Sequence, residues 1–287
     1  MNKQYIKKKI DVKSKQMAYI DVGQGEDTFL LIHGNPSSSF IWRNIAPELE
    51  KVGRVVMPDL IGMGDSDKLD GINNEEYSFN GHYSYLEDLF NKLDLNNVHL
   101  VIQDWGSALG FKLARLNSSK IKSITFMEAI VRPLTWDEWP EAGTKIFKLM
   151  RSEAGEEIVL EKNFFVERLL LGEARLSEEE QAEYRRPFMN AGEDRRPTLT
   201  WPRNIPLDNE PADTTHEVQL NANFHKDSDI PKLFINADPG FLLVGDQREF
   251  VRSWKNLKEV TVKGNHFIQE TSPEEISKEI TAFVKSL

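Results

Sequence analysis

Leu100-Val101-Ile102-Gln103-Asp104-Trp105-Gly106 begins as an apolar run, stops at a carboxylate and gives way at once to a helical pattern over residues 107–116. This spacing predicts a strand-to-helix elbow with an acid at its tip. Such a turn lifts its tip residue above the carboxyl edge of a parallel sheet, where a side chain can serve as a nucleophile. The Ser of a G-x-S-x-G run, the usual occupant of the elbow, occurs nowhere in the chain. With Asp104 as nucleophile, the covalent intermediate is an ester of the protein's own carboxylate. The electrophile is then an alkyl rather than an acyl carbon, and the reaction is alkyl transfer to water.

Outward from the elbow, short β-type runs at 16–22, 28–32, 54–57, 98–102 and 121–127 alternate with helical patterns. That alternation predicts a mostly parallel sheet with helices on both faces. From about 131 to 213 the strand signal disappears. Charged helical segments (142–151, 156–171, 177–185) stand there between Pro133, Pro140, Pro187, Pro197, Pro202 and Pro206. Runs at 230–237 and 259–262 then restore the strand pattern, and an amphipathic helix over 273–284 closes the chain. The expected organisation is a core over 1–130, a helical cap over 131–213 and the remainder of the core over 214–287.

The chain has 287 residues, enough for a sizeable core, and a net charge of −10 with a pI near 5.2. Apart from Lys7-Lys8-Lys9, acids and bases are interleaved, so no basic footprint for nucleic acid or anionic lipid is present. The absence of Cys excludes disulfides, thiolate catalysis and Cys-ligated zinc. No stretch approaches the ~18 apolar residues of a membrane span, and the initial lysines precede no apolar signal segment. The expectation is a soluble cytoplasmic protein, monomeric or weakly self-associating, with a small neutral ligand as partner.

Three more segments fall where such chemistry needs them. His33-Gly34-Asn35-Pro36 follows a buried run, and its glycine lets backbone N–H groups approach the elbow. Glu128 ends the strand after the elbow helix, at the sheet edge where open α/β folds keep their sites. His266 follows the last predicted strand, the expected place for a catalytic base. Asp238, after another core strand, is a second candidate for orienting His266, and the residues alone do not separate it from Glu128. The acids of 59–67 read instead as a Gly-rich turn bonded to backbone. His33, His82, His99, His216, His225 and His266 show no metal-ligand spacing.

The assembled motifs resemble the haloalkane dehalogenases, an α/β-hydrolase family with an eight-stranded sheet and helical cap. The likeness covers nearly the whole chain, including Met17-Ala18-Tyr19-Ile20-Asp21, Asp104-Trp105-Gly106-Ser107-Ala108, Arg195-Arg196-Pro197-Thr198-Leu199 and His266-Phe267-Ile268-Gln269-Glu270. The related coelenterazine luciferase shares cap segments such as Asn163-Phe164-Phe165-Val166-Glu167. The resemblance selects Glu128 over Asp238. It implies an Asp104, Glu128, His266 triad, halide binding by the Trp105 indole and the Asn35 amide, and an oxyanion hole from the N–H groups of Trp105 and Asn35. It implies a pocket lined by Phe147, Phe165, Pro202, Phe241 and Leu242, no cofactor and no metal. The partners would be a small halogenated aliphatic substrate, water and halide.

Two rivals share the fold. Epoxide hydrolases also use an elbow Asp but protonate the leaving oxygen from two cap tyrosines, and Tyr184 is the one Tyr between 131 and 224. A luciferase-like oxygenase would carry the same triad. A receptor built on the fold is a third, non-enzymatic reading. The chain departs from the family at Gln103, where His is common, and in Leu170-Leu171-Gly172-Glu173-Ala174-Arg175-Leu176, which looks shorter and more charged. Glu173 would make the tunnel mouth acidic and disfavour anionic haloacids.

Overall fold

A computed structural model describes residues 5–70, 76–173 and 175–287; Ala174 of the departing segment lies outside them. Eight strands form one sheet: β1 Lys8–Val12, β2 Lys15–Val22, β3 Thr28–Ile32, β4 Arg54–Pro58, β5 Val98–Asp104, β6 Ile121–Ala129, β7 Lys232–Pro239 and β8 Leu257–Gly264. Their spatial order is β1-β2-β4-β3-β5-β6-β7-β8. β2 pairs antiparallel with β1 and β4, and all other pairs are parallel. Parallel strands need crossovers that cover both faces. The central strands accordingly read as unbroken apolar runs, with all five residues of β3 buried.

β1 is absent from the apolar runs of the sequence because Lys8 and Lys9 supply two of its five residues. It is held by its ladder to β2 and by ion pairs: Lys7 Nζ lies 2.7 Å from Asp59 and 2.6 Å from Asp65, and Lys8 Nζ lies 3.0 Å from Asp21. Lys7 and Lys8 of the basic start are therefore paired with acids of other segments, of which Asp59 is fully buried. Asp59 and Asp67 behave as turn acids. Asp59 accepts the N–H groups of Ser39 and Asp65, each at 2.8 Å, and Asp67 accepts that of Gln16 at 2.8 Å.

The elbow helix α1 (Trp105–Leu116) buries ten of its twelve residues between the sheet and the helix α2 (Ala212–Asp227). Among the described residues, no strand stands between β6 and β7 apart from isolated bridges at Leu207. The segment holds helices Glu141–Met150, Glu178–Arg185 and Arg196–Asn204, plus two stretches of wide, π-like turns, Glu156–Glu161 and Phe165–Leu170. The sequence pattern suggests one helix over 156–171; Asn163 interrupts it with φ +52°, a conformation Asn tolerates better than most residues. Ser177 starts Glu178–Arg185 with a reciprocal capping box to Glu180. The segment is tied to the sheet domain through Arg43, which bonds both Glu180 (2.7 Å) and Glu270 (2.6 Å), and through a Tyr184–Glu270 hydrogen bond.

Candidate active site

The strand order puts the carboxyl ends of β3, β5, β6, β7 and β8 side by side, so residues far apart in sequence meet on one edge. At the tip of β5, Asp104 adopts φ +50° and ψ −130°, a costly region for a side chain bearing a Cβ. The turn tolerates it because glycines flank it. A Cβ on Gly34 would lie 2.2 Å from Asp104 Oδ1, and one on Gly106 would lie 2.1 Å from the Ile32 carbonyl oxygen. Through the gap left at Gly34, the Asn35 backbone N–H donates to Asp104 Oδ1 at 2.7 Å.

His266 reaches over the elbow from the loop after β8. Its Nε2 stands 3.4 Å from Asp104 Oδ2 and its Nδ1 3.2 Å from Glu128 Oε2. Glu128 is fully buried yet well solvated by protein. It accepts the N–H groups of Phe241 (3.0 Å), Leu242 (2.7 Å) and Leu243 (3.3 Å), the kind of cradle that offsets the cost of burying a carboxylate. Asp238 is exposed, and the structure brings Glu128 rather than Asp238 to the imidazole. Burial lowers the pKa of His266, but the hydrogen bonds and charges of Asp104 and Glu128 outweigh it and raise the value to about 10. His33 lies outside this set. Its Nδ1 is 2.8 Å from the Gly34 carbonyl and its Nε2 accepts the Leu60 N–H at 2.9 Å, and burial pushes its pKa down to about 4.

Above Asp104 lies a largely apolar cavity. Asn35, Trp105 and His266 share its wall with Phe147, Phe165, Pro202, Phe241 and Leu242. All five residues expected to line the pocket thus meet there. The Trp105 ring is clamped by stacking on Trp201 at 4.6 Å between centroids, and Trp201 stacks on His82 at 3.8 Å. The Asn35 side-chain amide, in the cavity wall, donates to the Thr198 carbonyl at 3.3 Å, which fixes the amide's orientation and uses one of its two N–H groups. Two N–H groups beside a carboxylate form a setting suited to stabilising an anion that develops next to that carboxylate.

Three contributors escape sequence reasoning. Trp139 and Ile130 join the cavity wall from a proline-rich stretch without periodicity. Thr198 acts through its carbonyl, which no side-chain pattern reports. Glu173 also lines the cavity, and its Oε1 accepts the backbone N–H of Phe267 at 2.9 Å. It is therefore bonded to the loop that carries His266 as well as lining the cavity. Tyr184, the residue on which an epoxide-opening reading depends, bonds Glu270 and is not part of the cavity wall.

Residues 27–273 match the model of the alpha/beta hydrolase fold family. A haloalkane dehalogenase from Sphingobium indicum is 51% identical over 284 residues, covering 98% of this chain and 96% of that one. The coelenterazine h 2-monooxygenase of Renilla reniformis is 40% identical over 285 residues, 97% of this chain and 90% of that one. A crystal structure of a haloalkane dehalogenase from Bradyrhizobium elkani superposes with a TM-score of 0.92 at 35% identity, covering 99% of this chain and all of that one. The chain belongs to the α/β-hydrolase family and, within it, to the haloalkane dehalogenases.

Proposed function

We propose that the protein hydrolyses the carbon–halogen bond of small neutral haloalkanes, giving alcohol, halide and a proton, with Asp104 as nucleophile, His266 as base and Glu128 as its partner. The observation that carries this reading is a carboxylate on a strained elbow, facing an apolar cavity beside the Trp105 indole and the Asn35 amide. Asp104 attacks the carbon in line with the leaving halogen. The carbon–halogen electron pair departs with the halide, which needs no proton, only the two N–H donors of a dry pocket. Water then attacks the carbonyl carbon of the alkyl–Asp104 ester and gives one proton to His266, while the Asn35 and Trp105 backbone N–H groups hold the oxyanion. On collapse the bond from the carbonyl carbon to the alkoxy oxygen breaks. That oxygen takes one of the two water protons and leaves as alcohol, the other is released to solvent, and Asp104 is restored as a carboxylate.

The His266 environment suits this order of events. With Asp104 ionised, the ring is pushed toward imidazolium. Esterification removes that charge, the ring's proton affinity falls, and the imidazole becomes a competent base when water must be activated. Residues 131–213 act as the cap that closes the cavity, a role supported by the apolar wall they contribute through Phe147, Phe165 and Pro202. The reading includes a cytoplasmic, monomeric or weakly self-associating protein without cofactor. Among the described residues, no helix is long and apolar enough to cross a membrane.

The test is halide release from 1,2-dibromoethane and 1-iodobutane by wild type and Asp104→Ala. Release by wild type and none by the variant is expected. No release from either substrate moves the assignment to coelenterazine oxygenation, with the epoxide reading disfavoured by the placement of Tyr184.

A further inference from the structure

Gln103 immediately precedes the elbow in β5 and is fully buried. Its side-chain nitrogen lies 3.2 Å from the His266 backbone carbonyl and 3.1 Å from His266 Nε2. A backbone carbonyl only accepts, so the atom facing it must be the amide nitrogen, which removes the ambiguity that usually surrounds an amide's orientation. The nitrogen's second N–H then points at Nε2. That nitrogen can accept it only while unprotonated, since an imidazolium would set N–H against N–H.

We propose that Gln103 is a positioning residue of the hydrolytic step: pinned by the His266 carbonyl, its amide presents a donor to His266 Nε2 and favours the neutral ring with its lone pair on the elbow side. This rests on the dehalogenase reading of the site given above. The groups facing the ring make such a counterweight useful. Asp104 and Glu128 both favour the charged form. The other carboxylate at this loop, Glu173, bonds the Phe267 N–H. Arg248, which like Glu128 lies against Gly240, donates to the carbonyls of Leu243 and Ala237, and Arg132 in the cavity wall is paired with Glu138 at 2.7 Å. Glu270, four residues on, is paired with Arg43. The rings of Phe241 and Phe267 also face that of His266, at 6.1 and 4.9 Å. Among these contacts, Gln103 is the group that opposes protonation of Nε2 by a direct hydrogen bond. Once Asp104 is an ester, only Glu128 pulls the other way, and it does so through Nδ1.

The experiment is a pH titration of His266 by nitrogen-15 NMR of the ring, in Asp104→Ala enzyme, where the elbow charge is absent as it is in the ester. His266→Phe identifies its signals among those of the six histidines. Adding Gln103→Met, close in shape and without a donor, should raise the midpoint by about half to one pH unit, the worth of one buried hydrogen bond. Gln103→Glu, which keeps the size and replaces the donor by an acceptor, should raise it further and guards against misfolding of the Met variant. An unmoved or lowered midpoint in whichever variant folds overturns the proposal; a lowered one would mean that the amide oxygen faces Nε2. The titration needs no turnover, so it stands apart from the halide assay. Release with an unmoved midpoint retires the Gln103 role alone, and a raised midpoint without release retires the reaction and keeps the contact.

Discussion

Replacing Glu128 by Gln separates the two chemical steps while leaving both the nucleophile and the base in place. The carboxylate stands 3.2 Å from His266 Nδ1 and matters to the reaction when the ring becomes imidazolium, in the hydrolytic step. Two opposite charges about 4 Å apart at an effective dielectric near 20 interact by about 4 kcal/mol. Loss of that interaction corresponds to a slowing of about 10³-fold. The fold pays a separate cost. The Gln oxygen can still accept the Phe241 and Leu242 N–H groups, but its amino group would face the Leu243 N–H. That donor-to-donor contact should reduce stability by about 1–3 kcal/mol. Rapid-quench kinetics on 1,2-dibromoethane would show a halide burst close to one per enzyme followed by turnover slowed about 10³-fold, and urea denaturation would report the stability loss. A steady-state rate within about tenfold of wild type, about 1.4 kcal/mol, would refute the reasoning, because Glu128 would then not be stabilising the imidazolium.

Asn35→Ala and Trp105→Leu should each slow the burst itself, by about 10²–10³-fold, as expected for removing one donor from an anion site; pre-steady-state halide release measures it. Glu173→Gln should raise kcat/KM for an anionic haloacid relative to a neutral haloalkane by about fivefold, the effect of removing roughly 1 kcal/mol of repulsion at a partly solvated mouth. Equal turnover of the two substrates by wild type contradicts the acidic-mouth reading. The His266 pKa is raised in the resting protein, so its contribution to stability is complete below the ordinary value of about 6.5 and is lost as pH rises through about 10. Thermal melts across that window should fall more steeply for wild type than for His266→Phe.

The elbow is legible because three signals coincide at Asp104: an apolar run that ends, a helix that starts and an acid between them. Glu128 and Asp238 look alike in sequence, each an acid after a core strand. What separates them is the loop after β7, whose backbone N–H groups at Phe241 to Leu243 converge on Glu128 while Asp238 stays exposed. That convergence belongs to tertiary structure and leaves no side-chain pattern. β1 is hidden by Lys8 and Lys9; Lys8 is paired with Asp21, and Lys7 just before the strand with Asp59 and Asp65, all from other parts of the chain. The break at Asn163 depends on a backbone angle that helical periodicity does not encode. Gln103 is visible in sequence as an unusual neighbour of Asp104, but its bond to His266 joins residues 163 positions apart. Glu173 is legible as a charge in the departing segment and illegible as a partner of the Phe267 N–H.

The proposed reaction passes through a covalent ester on Asp104, which mass spectrometry of His266→Phe after exposure to 1,2-dibromoethane would detect. Without the base the ester cannot be hydrolysed by activated water. The intact protein should gain one bromoethyl group per chain, with the added mass on the peptide containing Asp104. Release of the alcohol at the wild-type rate with no adduct, or an adduct on any other residue, would contradict the account.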